Sequence, residues 1–183
     1  MEITIRPIVA TDAVTLARLH ATSWRDAYRG LLRDEYLDSA AAADRLVVWT
    51  ERMQNLQPSH YGFIAEAGHT PVGFVFLHGA VDPLWGTLVD NLHVLPSFKG
   101  RGAGRLLMAA ATRETIQRHP NEGVHLWVFE ENHQARAFYA RLGGRDAERA
   151  IVDVAGGGSQ PAVRVVWTNP ASLLRTGERP ARL

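Results

Sequence analysis

Pro96-Ser97-Phe98-Lys99-Gly100-Arg101-Gly102-Ala103-Gly104, running straight into RLLMAAATRETIQRH (105–119), decides how this chain folds. The segment before it, LVDNLHVLP (88–96), reads as a strand. Behind the glycines, Leu106, Leu107, Ala110, Ala111, Thr115 and Ile116 recur along one side of a long helix expected over about 101–119. VHLWVFE (124–130) follows as a strand, and its mostly apolar run implies burial on both faces. Strand, helix and strand in that order form a βαβ unit, so the two strands should be parallel. A glycine turn at a helix N-terminus is also an anion site. Free N–H groups and the helix dipole converge there, and no Cβ keeps a phosphate away. Lys99 and Arg101 add positive charge to the loop.

Upstream, ITIRPIV (3–9) alternates as a strand, and Thr11 or Asp12 can cap a helix running to about Tyr28 with Leu16, Leu19 and His20 on one stripe. Gly30 breaks it. A second helix, about 33–54, carries Leu37, Ala41, Leu46 and Trp49 at near-helical spacing. HYGFIAEA (60–67) and VGFVFLHGA (72–80) flank the turn signal GHTP and read as a hairpin. Downstream, NHQARAFYARLGG is a short helix ending on Gly143 and Gly144, and 148–155 with 163–168 form a last hairpin around GGGSQP. The fold class expected is therefore mixed α/β (α+β): a twisted, mostly antiparallel sheet of six to seven strands with helices on both faces. One domain spans 1–169, followed by a loosely held tail, 170–183.

The composition removes several chemistries. There is no cysteine, so disulfides, thiolate metal sites and a cysteine acyl-enzyme are excluded. The eight histidines contain no H-E-x-x-H, which argues against a zinc hydrolase; no metal is expected. Gly157-Gly158-Ser159-Gln160 is followed by Pro161, so there is no nucleophile elbow. A net charge of +1 makes the chain no magnet for nucleic acid. No apolar run reaches the roughly 18 residues of a membrane span, and the N-terminus lacks the layout of a secretory signal, so a cytoplasmic location is expected. The 20 basic residues comprise 19 arginines and one lysine, and that lysine is Lys99.

The loop is G-x-G-x-G, not the G-x-G-x-x-G of a dinucleotide fold, and no Gly-Lys-Ser/Thr follows as in a Walker loop. A bare strand-to-helix turn remains an alternative. Lys99, Gly102 and Gly104 resemble the Q/R-x-x-G-x-G/A acyl-CoA signature of the GNAT superfamily of N-acyltransferases, with lysine in place of the fork-shaped arginine. Asn132, Ala135, Phe138, Tyr139 and Gly143 likewise resemble that family's N-x-x-A-x-x-F/Y-Y-x-x-x-G-F, with Gly144 where an aromatic usually stands. The resemblance covers about residues 3–168 and makes the domain an expected N-acetyltransferase with acetyl-CoA as co-substrate.

On that resemblance, the loop Lys99, Gly100, Arg101, Gly102, Ala103 and Gly104 would hold the pyrophosphate. Val89, Leu92 and Val94 are apolar with a three-residue step between the first two, which a β-bulge at Asp90-Asn91 would restore to one face. The pantetheine arm would then lie like an added strand along Leu92, His93 and Val94, bonding their backbone, with Asn132, Ala135 and Phe138 beside it. One N–H of this stretch would face the thioester oxygen as it gains charge. Tyr139 would be the general acid for the thiolate. Many relatives carry Glu where this chain has Leu88; Asp90 or His93 is the substitute base, unless the amine arrives neutral. Trp24 and Tyr28, in a segment resembling W-R-x-x-Y-x-G-L-L, would line the acceptor pocket. The expected partners are acetyl-CoA and a primary amine, most simply a small molecule, with a homodimer left open. The rival reading is a non-catalytic acyl-CoA-binding or regulatory module.

Overall fold

Hydrophobic alternation along the chain becomes one seven-stranded sheet in the computed structural model, which describes residues 2–175. The strands are β1 (Ile3–Pro7), β2 (His60–Ala67), β3 (Thr70–Asp82), β4 (Gly86–Val94), β5 (Val124–Phe129), β6 (Arg145–Asp153) and β7 (Ser159–Trp167), in the order β1-β2-β3-β4-β5-β7-β6. The helices are α1 (Ala13–Ala27), α2 (Ala41–Gln54), α3 (Ala103–Arg118), α4 (His133–Arg141) and α5 (Ala171–Arg175). β4 and β5, joined through α3, are parallel, and every other neighbouring pair is antiparallel. The mixed architecture is the one the sequence implies.

Two apolar layers hold it. On one face α3 covers the sheet, with Leu107, Met108 and Ala111 against Val75, Leu77, Leu126 and Val165. On the other, Leu16 and Leu19 of α1 and Trp49 and Met53 of α2 pack on Ile64, Phe74 and Phe76. Asn91 pairs with Phe76 and Val89 with Leu77, so Asp90 is an extra residue in β4. This bulge returns Val89, Leu92 and Val94 to the α3 face, while His93 is buried on the α1 face against His20 and Phe74.

The helices depart from the sequence pattern in phase. Tyr36–Ala40 form a π-helical turn ahead of α2. Beyond it the buried positions recur every four residues, so Trp49 and Met53 follow Ala41 inward while Leu46, five residues past Ala41, is 42% exposed. On α3 the buried stripe is Ala103, Leu107, Met108, Ala111, Thr112 and Thr115, and Leu106 faces outward. A Cβ at Gly144 would lie 2.5 Å from Val165 and 2.6 Å from the Trp167 ring, so Trp167 occupies the space where an aromatic at 144 would go. The tail is not wholly loose: α5 docks Leu173 into the larger core cluster, and 176–183 lie outside the described residues. Among the described residues no helix is long and apolar enough to cross a membrane.

Candidate active site

β4 and β5 pair at two positions only, Thr87 with Val124 and Leu88 with His125. Past them the strands part, and a cleft with a volume of 450 Å³ opens between them. From the sequence-predicted residues it gathers Lys99, Gly100, Gly102 and Gly104 of the loop, Asp90, Leu92, His93 and Val94 of β4, Asn132, Ala135, Phe138 and Tyr139 of α4, and Trp24 and Tyr28 from the end of α1. Two of the predicted residues do not line it. Arg101 is exposed, its guanidinium 5.4 Å from the Phe98 ring centre, and the Ala103 side chain is buried in the core.

Gly100 and Gly102 shape the loop because both hold φ in the left-handed region, at 74° and 91°. Leu106 N–H bonds Gly102 O at 3.0 Å, and among the described residues the amides of Ala103 and Gly104 have no backbone partner at the positive end of a 16-residue helix. Lys99 Nζ lies 2.5 Å from Asp26 Oδ2 and 3.3 Å from Gln134 Oε1, tying the loop to α1 and α4 across the mouth of the cleft.

The strand edge follows from one bond. Leu95 N–H donates to Val72 O on β3 at 2.8 Å. Amides alternate sides along a strand, so the N–H groups of Leu92 and Val94 point the other way, into the gap that β5 has left. Asn132 caps α4 by accepting from Ala135 N–H at 3.1 Å, which aims that helix at the cleft. Tyr139 is 8% exposed and packs edge-on to Trp167, and its hydroxyl has no hydrogen-bond partner among the described residues. Burial pushes its pKa upward, with the nearby Tyr28 adding to the effect, so the phenol keeps its proton. Burial likewise pushes Tyr28 up to about 12.

Asp90 projects from the bulge, with Arg52 Nη1 at 2.6 Å and His78 Nε2 at 3.8 Å. Arg52 also bonds Asn91 Oδ1 at 3.1 Å and stacks over Trp49 and Phe76, so the carboxylate is held by a cation that is itself fixed. His93 is set differently. Its Nδ1 is 3.2 Å from Ser23 Oγ, and its ring stacks on His20 at 4.4 Å. Trp49 Nε1 donates to His20 Nδ1 at 2.9 Å, so neutral His20 carries its proton on Nε2. Burial, with Lys99 and Arg45 adding, pushes His93 down to about 3, and burial holds His20 below its ordinary value.

Both histidines bind a proton less readily folded than unfolded. Stability is therefore full above the ordinary histidine pKa near 6.5 and is lost as pH falls from there toward about 3. A denaturant midpoint measured from pH 7 to pH 4.5 should fall, and His93→Gln should make that fall shallower. An unchanged slope in the variant would locate the pH dependence elsewhere.

Sequence reasoning did not single out Ser23, Arg105, Trp127, Phe129, Arg141 or Val152, all of which line the cleft. Trp127 and Phe129 alternate with Leu126 and Val128 and are half-buried where those are buried. That period of two was the available signal, masked by reading the strand as apolar throughout. Among the described residues no group of three or more acidic or histidine side chains is placed to hold a metal ion.

Residues 19–144 match the model of the acetyltransferase (GNAT) family. A probable N-acetyltransferase of Mycobacterium tuberculosis is 29% identical over 140 residues, covering 76% of this chain and 78% of that protein. Among solved structures, the PaiA N-acetyltransferase of Thermoplasma acidophilum, in complex with coenzyme A, superposes with a TM-score of 0.66 at 22% identity, over 90% of this chain and 98% of that one. YncA of Salmonella typhimurium, solved with acetyl-CoA, gives a TM-score of 0.64 at 15% identity over 100% and 99%. At these identities the likeness to solved structures is one of fold.

Proposed function

The chain belongs to the acetyltransferase (GNAT) family, and from that premise we propose that it moves an acetyl group from acetyl-CoA directly to a primary amine of a small molecule. The observation that carries this reading is the opened seam between β4 and β5. Its free Leu92 and Val94 amides stand in line with a glycine-rich helix N-terminus at one end and Tyr139 on the wall. The pyrophosphate sits on the loop amides with Lys99, and the pantetheine pairs with β4. The thioester oxygen accepts from the Leu92 N–H, which is fixed before any charge develops and so favours the transition state.

The amine must first lose a proton, since an alkylammonium has a pKa near about 10.4. Asp90 receives it, directly or through one water, with Arg52 holding the carboxylate in position. The amine nitrogen then attacks the thioester carbon. The N–C bond forms, the C–S bond breaks, and the sulfur leaves as thiolate. Tyr139 hydrogen-bonds that thiolate and passes it a proton. The burial that raises the phenol's pKa raises the thiol's too, so the transfer is not opposed by the burial alone. No cysteine is present to carry the acetyl group as a thioester, which favours direct transfer over a cysteine acyl-enzyme.

Acetyl-CoA should raise the melting temperature, by an amount equivalent to about 2.7 kcal/mol at 100 times its Kd, and NAD or ATP at equal concentration should do much less. Free thiol should appear when an accepted amine is added. Equal shifts from all three nucleotides would sink the reading. Tight acetyl-CoA binding with no thiol release on any amine would replace it with a regulatory acyl-CoA-binding module.

A further inference from the structure

The cleft carries cations and a broad aromatic surface. Its cations, Lys99, Arg105 and Arg141, belong to the glycine loop, α3 and α4. Its aromatic and apolar lining is Trp24, Tyr28, Trp127, Phe129, Val152 and Ala162. The four aromatic residues are half-buried and line the cleft, and Trp24, Tyr28 and Phe129 also pack on the cluster of Leu32, Tyr36, Leu37 and Ala41. Tyr28 and Phe129 lie 4.9 Å apart between ring centres and Trp24 is 5.7 Å from Tyr28, the spacing of a continuous wall. Asp90 is the only carboxylate among the described residues that line the cleft.

Behind the wall sit two more cations, neither of them lining the cleft. Arg45 lies 4.6 Å over Trp24 and Arg164 lies 4.7 Å over Trp127. Both are already paired, Arg45 with Asp44 and Arg164 with Asp82 and Glu148. Each ring thus has a guanidinium on it already, which weakens its appeal to a further ammonium. Two contacts brace the segment against which Trp24, Tyr28 and Phe129 pack. Gln160 Nε2 donates to Leu31 O at 2.6 Å, and Gly156 lies against the Tyr36 ring so closely that a Cβ would be 2.4 Å from it. The β6–β7 turn and the 28–37 segment therefore meet beside Trp24, Tyr28 and Phe129, which suits a compact acceptor better than an extended polypeptide.

We propose that the acceptor is a primary amine bearing one positive charge and a flat apolar body, an arylalkylamine in chemical class, with its nitrogen at Asp90 and its ring against Trp24, Tyr28, Trp127 and Phe129. This rests on the acetyl transfer proposed above and adds the acceptor's chemistry. A single ammonium finds a single carboxylate. A second ammonium finds no second carboxylate in the described lining, and a carboxylate beside the amine would face Asp90; either would be desolvated against aromatic rings at a cost. An apolar ring loses nothing there and gains its burial.

The test is a comparison of kcat/KM, with acetyl-CoA saturating, for 2-phenylethylamine, n-butylamine, spermidine and L-phenylalanine. L-phenylalanine keeps the ring and adds a carboxylate; spermidine keeps the amine and adds charge. 2-Phenylethylamine should exceed n-butylamine by about tenfold, in the range a pocket gains from added apolar bulk, and should exceed the other two by more. Phe129→Ala should shrink the ratio of 2-phenylethylamine to n-butylamine, a readout that a general loss of activity leaves unmoved. Spermidine or L-phenylalanine matching 2-phenylethylamine, or a ratio unaltered in Phe129→Ala, overturns the acceptor assignment and leaves acetyl transfer standing. Bound acetyl-CoA with no amine of any kind acetylated overturns both.

Discussion

Tyr139→Phe is expected to lower kcat by about 10²-fold or more while leaving the Kd for acetyl-CoA nearly unchanged. The substitution keeps the ring on Trp167 and removes a hydroxyl that bonds nothing among the described residues, so the fold loses little. The loss should appear equally in kcat/KM, because the bond to sulfur exists only in the transition state. Steady-state rates beside a binding titration make the measurement. Full kcat in the variant would remove Tyr139 from the reaction and leave solvent as the proton source. A lowered melting temperature with kcat intact would make the residue a core aromatic alone.

Trp49→Ala is expected to cost about 3–5 kcal/mol of folding free energy, the range for deleting a buried aromatic. Trp49 is 0% exposed, meets Phe74 and Phe76 edge-on, and carries Arg52 on its face. It also fills Nδ1 of His20, so its loss strips a buried acceptor of its donor. Against a typical total of about 5–15 kcal/mol, that is enough to threaten the fold at physiological temperature. Trp49→Phe should cost less and still leave His20 unpaired, separating the volume from the hydrogen bond. The denaturant midpoint reads both. A cost below about 1 kcal/mol for the alanine variant would mean the helix layer repacks around the gap.

The sheet was legible because its signals are local. Glycines between a strand and a helix and a βαβ length mark the parallel unit, and the three-residue step from Val89 to Leu92 marks the bulge. The register agrees, with Asp90 the residue left over opposite β3. Helix phase was less legible. The π turn at Tyr36–Ala40 shifts everything after it, and nothing in YLDSA announces it. The polar partners were not legible at all. Arg52 lies 38 residues from Asp90 and Asp26 lies 73 from Lys99, and such pairings are set by how layers stack. That is why the sequence offers Asp90 only as a substitute base, while in the fold it stands beside a guanidinium.

A sheet ordinarily has two edges, and this one has four. The outer pair are guarded in the familiar manner: β1 is five residues long, ends on Pro7 and carries Arg6, and β6 sets Arg145, Asp146, Glu148, Arg149 and Asp153 along its length. Such edges resist the stray strands that seed aggregates. The inner pair, where β4 and β5 separate, carry a single charge, Asp90 at the bulge, and otherwise present the apolar Leu92 and Val94 on one side and Leu126 and Val128 on the other. Their protection is enclosure. They face each other across a gap overlain by α1 and α4, with the Lys99–Asp26 ion pair at its mouth. The molecule thus keeps open backbone ready to be paired, the property that makes other proteins sticky, in a place reached by a slender chain and not by a neighbour's strand.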